Sequence, residues 1–396
     1  MSGRERLLEE AAKELERDFE LVGSTAIEDK LQRGVPESIE MIKKAGIKLW
    51  VLTGDKIETA INIGYSCRLL DDNINQYIID STRSVDIYKQ ICVAENKQNL
   101  YLGTKQMAII VGGESLLKIF ANENLKEKYD KLVEEAAVVL ACRVSPKQKA
   151  LIVESVRKKH PTATTLAIGD GANDVNMITS AHVGVGISGL EGQQAARSAD
   201  YAIGQFQFLK PLLFFHGREA YRRNSFLVIY MFFKNMLFVM PQFWYGFDSA
   251  FSGQTLYETW LYQLYNIVFT SFPVIIYAIF DTQFVKEKFL TEPQLYKIGL
   301  DSACFNFVTL WTAIFEAIFN GLWIFVFCFY GNDGIQITNI DGQPGGFWVS
   351  GQLCYSGIVV VANLYVLHKT NNHNWISVTF VVLSITSFFL SYWVES

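Results

Sequence analysis

The sequence predicts two structural classes in tandem, an α/β domain on a Rossmann-type parallel sheet and then an α-helical transmembrane bundle. Three observations predict this. Most of the charge lies in residues 1–210, whereas long apolar, aromatic-rich spans fill the chain from about residue 224. Three apolar runs of strand length each end in a polar turn that leads into a helix-compatible stretch. One of these turns, Gly169-Asp170-Gly171-Ala172-Asn173-Asp174, sets two carboxylates at the carboxyl end of its strand, where open parallel sheets place their ligands.

Bulk composition narrows the field further. The 396 residues are half hydrophobic with a net charge of −5, and no basic stripe with interleaved aromatics is present, so nucleic acid is not an expected partner. The six cysteines show no zinc or C-x-x-C spacing and read as reduced packing residues. Met1 to Glu20 is charged and helix-prone, unlike a secretory signal. Residues 4–20 predict an amphipathic docking helix with Leu7, Leu8, Ala11, Leu15 and Phe19 on one face.

The α/β elements follow in order. Leu21 to Leu31 begins strand-like and ends as a charged connector. Val35-Pro36 opens a helix that Gly46 closes after Lys43-Lys44. Ile47–Leu52 is the next strand; it delivers Thr53-Gly54-Asp55-Lys56 ahead of a helix from Glu58 to Leu69. A hydroxyl, a glycine and a carboxylate there can hold a phosphoryl oxygen beside a helix N-terminus, although the same tetrapeptide also makes an ordinary turn. Residues 71–134 predict a polar connector, a strand at Ile109–Val111 and a helix from about Asn124 to Ala137. Val138–Ala141 is a buried strand leading into Cys142-Arg143-Val144-Ser145-Pro146-Lys147-Gln148-Lys149. Ser145 and Gln148 form a capping box with Pro146 at the first helical position. Lys149 then sits in the first turn against the helix dipole, so it answers to an anion or is simply solvated. Beyond the strand Thr164–Gly169, Asp170 and Asp174 offer hard oxygens that suit Mg2+.

A hydroxyl, a lysine and a carboxylate pair at one sheet edge match the residue logic of the haloacid-dehalogenase superfamily of phosphotransferases. The likeness is closer than that. Trp50 to Lys56, Cys142 to Pro146 and Ala167 to Val175 resemble the phosphorylation-domain motifs of P-type ATPases. Gly186 to Ala195, Asp200 to Ile203, Gln205-Phe206 and His216-Gly217 resemble the phospholipid-translocating type IV subfamily, the flippases, from about Leu21 onward. The resemblance implies ATP and Mg2+, with Thr53, Gly54, Asp55, Arg143, Lys149, Asn173 and Asp174 as nucleotide and phosphoryl contacts. It implies Asp170 and Asp174 as Mg2+ ligands, and Lys149, Asp170 and Thr53 as the catalytic group. The family's nucleophilic Asp-Lys-Thr-Gly-Thr occurs nowhere in this chain, nor does its Asp-Gly-Glu-Thr loop. The chain therefore resembles the C-terminal third of a flippase, with residues 1–20 as lead-in, 21–215 as a phosphorylation domain lacking its first strand, and 216–396 as the membrane domain.

Five apolar spans are expected at 225–246, 258–280, 303–330, 347–367 and 375–394, each near the roughly 20 residues a bilayer requires. Arg218, Arg222 and Arg223 precede the first, while Lys286, Lys288 and Lys297 follow the second and Lys369 the fourth. The intervening loops lack Lys and Arg, which orients the α/β half toward the cytosol. Two charges stand within the spans. Glu316 reads as a packing or partner-facing group, and Lys234 as functional or as a link between helices. Lys234-Asn235 has polar company in Gln263, Asn266 and Pro273, and the resemblance places Lys234, Asn235 and Asn266 along a lipid path. Two readings compete: part of an ATP-driven phospholipid flippase, inactive by itself, or a catalytically dead membrane segment with a binding role. The lipid, the membrane and an auxiliary subunit stay open.

Overall fold

The computed structural model describes residues 2–16, 20, 22–24, 30–100, 106–189, 192–334 and 346–395. Met1–Arg33 form a unit of their own. Its helix α1 (Ser2–Leu15) stops short of residue 20, and Leu7, Leu8 and Leu15 lie exposed along it. Phe19 and most of the strand-like stretch after it lie outside the described residues, and Val22–Ser24 is not a strand.

The second unit, Gly34–Ser396, opens with α2 (Val35–Lys44), entered through Gly34 in the left-handed region at φ 79° and a proline in the first turn. There follow β1 (Leu49–Leu52), α3 (Ile57–Ser66), β2 (Asn75–Ile79), α4 (Ser84–Leu100) and β3 (Met107–Gly112). Next come α5 (Gly113–Ala121), α6 (Glu123–Glu135), β4 (Val138–Cys142) and α7 (Pro146–Lys159). These strands pair in the order β1-β4-β3-β2, every pair parallel. β5 (Leu166–Gly169), α8 (Val175–Ser180), β6 (Val183–Ile187), α9 (Gln194–Ser198) and β7 (Tyr201–Ile203) build a second parallel sheet in the order β5-β6-β7.

The parallel sheet is thus present in two pieces. β4 is buried along its whole length and β3 along all but its last residue, as the continuous apolar runs of a sheet covered on both faces must be. α2 packs on both sheets, with Ile39 against the β3–β4 core and Met41 and Ile42 against Val185 and Ile168. Among the described residues β1 pairs only with β4 and β5 only with β6, so each keeps one open edge. The stretch read as a polar connector also carries β2, α4 and α5; α4 buries Ile87, Ile91 and Ala94 as one stripe against β2 and β3.

A continuous 43-residue helical run, Phe206–Asp248, leads out of the α/β half. It contains a π-helical turn at Pro211–Gly217 and then α10 (Arg218–Asp248). The second span is broken, with α11 (Thr259–Leu264), a π-helical turn at Tyr265–Phe269 and α12 (Ser271–Phe280). Short helices α13 (Lys286–Thr291) and α14 (Lys297–Leu300) connect to α15 (Phe307–Gly334), α16 (Phe347–Lys369) and α17 (Trp375–Glu395). Among the described residues five helical segments are long and apolar enough to cross a membrane. Their shared core is aromatic: Tyr230, Phe233, Tyr265, Phe269, Tyr355 and Phe388 are all buried. Gly321 lets α15 approach α10 closely, since a Cβ there would stand 3.0 Å from Met240 Cβ.

The three arginines expected ahead of the first span lie inside α10 instead, because the helix begins at Arg218. Arg218 pairs with Glu219, and Arg222 bridges Glu219 at 2.8 Å and Asp281 at 2.7 Å. Arg223 donates to the carbonyls of Ala278 and Ile279, both at 3.2 Å. Those carbonyls close the C-terminus of α12, where a helix leaves acceptors unsatisfied and favours a cation.

Candidate functional site at the sheet edge and in the bundle

At the carboxyl ends of β1 and β4 the two loops are joined by main-chain bonds. Val144 N–H donates to Thr53 O at 3.1 Å and Arg143 N–H to Asp55 O at 3.0 Å. Arg143 adopts φ 53°, and Gly113 must lack a side chain because a Cβ there would meet Arg143 O at 2.3 Å. The Thr53 hydroxyl donates to Asp55 Oδ2 at 2.7 Å while accepting from Asp55 N–H at 3.1 Å. This polar turn is surface-facing. Burial pushes the Cys142 thiol beneath it up to about 11, with Asp55 and Glu58 adding to the shift, so it stays protonated and inert.

The expected capping box is present. Ser145 Oγ accepts from Gln148 N–H, and Gln148 Oε1 accepts from Ser145 N–H at 2.7 Å. It starts α7 at the height that lets Lys149 Nζ reach across to Asp174 Oδ1 at 2.8 Å, both side chains nearly buried at 12% and 13% exposure. This contact ties the four-stranded sheet to the three-stranded one. Lys149 therefore answers to an anion in this structure, namely Asp174.

The glycines divide into two kinds. At Gly169 a Cβ would collide with Asp174 Cβ at 2.4 Å, because that carboxylate folds back over the strand end. At Gly54 a Cβ would meet nothing within 4 Å, and at Gly171 only Asn173 N at 3.9 Å. Packing within the chain demands glycine at the first but not at the other two, which leaves exposed main chain for a ligand to approach. Asp170 and Asn173 stand exposed on the same loop. Among the described residues no group of three or more His, Cys, Asp or Glu side chains is arranged to hold a metal ion. A pair of carboxylates without a closed cage fits Mg2+, which keeps most of its shell as water and phosphate oxygens, and does not fit structural zinc.

Within the bundle Lys234 is 1% exposed, and its Nζ donates to Thr270 Oγ1 at 3.0 Å beside the rings of Tyr230 and Tyr265. Thr270 sits in the break of the second span. Three carbonyls in and around that break receive side-chain donors. Tyr355 OH serves Leu261 O at 2.6 Å, Thr270 Oγ1 serves Tyr265 O at 2.7 Å, and Asn363 Nδ2 serves Phe269 O at 2.8 Å. Irregular backbone at membrane depth needs this kind of internal satisfaction.

Residues 196–396, just over half the chain, match the family model of the phospholipid-translocating P-type ATPase C-terminal region. The chain belongs to the type IV P-type ATPases. It is 43% identical over 98% of its length to phospholipid-transporting ATPase C887.12 of Schizosaccharomyces pombe, of which it covers 31%. It is 45% identical over 91% of its length to phospholipid-transporting ATPase DRS2 of Saccharomyces cerevisiae, covering 27% of that protein. It is 39% identical over 95% of its length to the probable phospholipid-transporting ATPase IM of Homo sapiens, covering 34%. The chain thus spans about a third of the length of these curated relatives. With five membrane-length apolar helices among the described residues, this type IV ATPase chain is an integral membrane protein.

In this P-type ATPase chain hydrogen bonds join Thr53, Asp55 and Arg143 at the carboxyl ends of β1 and β4, and a separate ion pair joins Lys149 to Asp174. The expectation that Asn235 and Asn266 would serve as polar partners of Lys234 is corrected. Both are exposed on the bundle surface, and Thr270 takes the ammonium. On a helix Asn235 lies about 100° round from Lys234, so the two cannot both face inward. Glu316 lies on the exposed side of α15. Thr270 and Asn363 were not legible as site residues. The available signal was Pro273, which strips a donor from the carbonyl four residues earlier.

Proposed function

We propose that this chain supplies part of the phosphorylation machinery and part of the lipid route of an ATP-driven phospholipid flippase. Its α/β half would be haloacid-dehalogenase-like and cytosolic. The observation that carries the reading is the Lys149–Asp174 contact at 2.8 Å, which brings a cation and a carboxylate together from the segments that follow β4 and β5. The open edges of β1 and β5 leave pairing positions for one further parallel strand, the element that carries the phosphorylated Asp in this family. Thr53, Gly54 and Asp55 would contact the nucleotide and phosphoryl oxygens together with Arg143 and Asn173. Lys149 would neutralise charge on the γ-phosphoryl group as it passes from ATP to the aspartate carboxylate with ADP leaving, a transfer driven chiefly by positioning and electrostatics. Asp170 and Asp174 would hold Mg2+, which would supply positive charge against the developing negative charge of the phosphoryl group. In the bundle, Lys234 would serve the lipid headgroup at the broken span, with Asn235 and Asn266 on the faces open to it.

Two measurements test this reading. Asp170→Asn in the complete protein is expected to abolish the acid-stable phosphoenzyme formed from labelled ATP while leaving the protein folded. Phosphorylation at ordinary Mg2+ concentrations would remove Asp170 from the metal site. The 396-residue chain alone is expected to form no such phosphoenzyme, and a hydroxylamine-sensitive adduct on it would overturn the requirement for a nucleophile from outside these residues.

A further inference from the structure

We propose that Asn363, in the middle of α16, is a positioning residue that holds the break in the second span open and so presents Thr270 to Lys234. The inference rests on the reading of Lys234 as part of the lipid route. Pro273 has no N–H, so the Phe269 carbonyl one turn earlier has no helical donor. Asn363, fully buried, fills that vacancy with Nδ2 at 2.8 Å and spends its other amide hydrogen on Val359 O of its own helix, also at 2.8 Å. With both hydrogens pointing at carbonyls the amide orientation is fixed by chemistry. Asn363 Oδ1 is left buried without a hydrogen-bond partner. An acceptor stranded in a membrane bundle is a loss, and it is tolerated because the donation to Phe269 is needed.

The next residue shows what that donation secures. Thr270 leaves the helical region, at φ −136° and ψ −5°. Its one hydroxyl hydrogen goes to Tyr265 O at 2.7 Å, which leaves lone pairs for Lys234 Nζ at 3.0 Å. If Phe269 O reclaimed a helical donor the turn would tighten, and Thr270 would rotate away from α10. Asn363 does not touch Lys234; it acts through the shape of the break.

The experiment uses the complete protein in detergent micelles carrying equimolar phosphatidylserine, phosphatidylethanolamine and phosphatidylcholine, with lipid-stimulated dephosphorylation and thermal unfolding as readouts. Asn363→Leu is expected to raise the half-saturating lipid concentration about three- to twentyfold, the range of one interhelical hydrogen bond in a membrane, with a smaller change in maximal rate. On a Lys234→Ala background the same substitution is expected to add little. An effect that multiplies with Lys234→Ala, or wild-type half-saturation in a folded Asn363→Leu protein, would overturn the proposal. Pro273→Ala restores an N–H for Phe269 O, so the drop in melting temperature caused by Asn363→Leu should shrink in that background. An identical drop in both backgrounds would show that Asn363 does not serve Phe269. If Asn363→Leu alone fails to accumulate, the double variant with Pro273→Ala is compared with Pro273→Ala alone: equal half-saturation is expected, and a further rise from Asn363→Leu would overturn the proposal. A Lys234→Ala protein with wild-type half-saturation would sink the lipid-route reading and the service proposed for Asn363, while the thermal cycle would still decide the Asn363–Phe269 tie.

Discussion

Gly169→Ala puts the coupling between fold and site to a direct test. The new Cβ would lie 2.4 Å from Asp174 Cβ, 2.7 Å from Cγ and 2.8 Å from Oδ2. Relief to ordinary van der Waals contact requires Asp174 to retreat by about 1 Å, because strand β5 is pinned by its pairing with β6 and cannot yield as easily. Overpacking of this kind costs about 1–3 kcal/mol, and at roughly 2–4 °C per kcal/mol for a domain the size of the α/β half its melting temperature should fall by about 2–12 °C. The retreat also pulls Oδ1 off Lys149 and displaces one of two proposed Mg2+ ligands. A misplacement near 1 Å can cost up to about 100-fold in a positioned reaction, so the Mg2+ concentration for half-maximal phosphorylation of the complete protein should rise at least about tenfold. Gly171→Ala, whose Cβ would meet only Asn173 N at 3.9 Å, serves as the thermal control and should melt like the parent. Wild-type melting and Mg2+ dependence in Gly169→Ala would refute the argument that this glycine sets the carboxylate's place.

Three further outcomes are expected. Gly54→Ala, with open space around the added methyl, should hold or raise stability by up to about 1 kcal/mol through the unfolded chain. It should also raise the ATP concentration needed for half-maximal phosphorylation, and an unchanged ATP dependence would remove Gly54 from the nucleotide's path. Lys234→Ala should act on the lipid-dependent step, read as a raised half-saturating lipid concentration, because it lies 16 residues beyond Arg218 and so about 24 Å along the helix. Arg222→Met leaves the buried Asp281 carboxylate without its cation, while Glu219 keeps Arg218, and should destabilise the chain by about 3–5 kcal/mol, part of it recovered in the Arg222→Met/Asp281→Leu double variant. Equal melting of the single and double variants would argue against a buried charge as the cause.

Local chemistry was the part of the fold written plainly in the chain. The continuous apolar runs at β3 and β4, the Ser145/Gln148 box and the Gly-Asp-Gly turn each follow from a few neighbouring residues. The elements missed between residues 75 and 121 had weak patterns: β2 is a half-buried edge strand, and α4 mixes its apolar stripe with exposed Val85, Tyr88 and Val93. Within the site, Lys149 could be read as facing an anion, but not that the anion is Asp174, 25 residues away on another sheet. The arginines at the start of α10 were visible as charge, whereas their partners at 278–281 depend on how the first two spans pack. Pro273 signalled freed carbonyls in the second span. It did not say that the donors would come from α16.

The broken span has a consequence for how the protein is made. Two of its carbonyls, on Leu261 and Phe269, are served by Tyr355 and Asn363, each 94 residues later in the chain. At about 5–20 residues per second of synthesis, those donors emerge roughly 5–20 s after the carbonyls they satisfy. Entry of residues 259–280 into the bilayer during that interval would leave these two main-chain acceptors without their side-chain donors, a state the hydrocarbon penalises by several kcal/mol per group. The second span should therefore stay beside water or the insertion machinery until α16 arrives. Nascent chains stopped before residue 347, with single cysteines introduced at residues 265–270, should label with aqueous thiol reagents at positions that full-length chains protect.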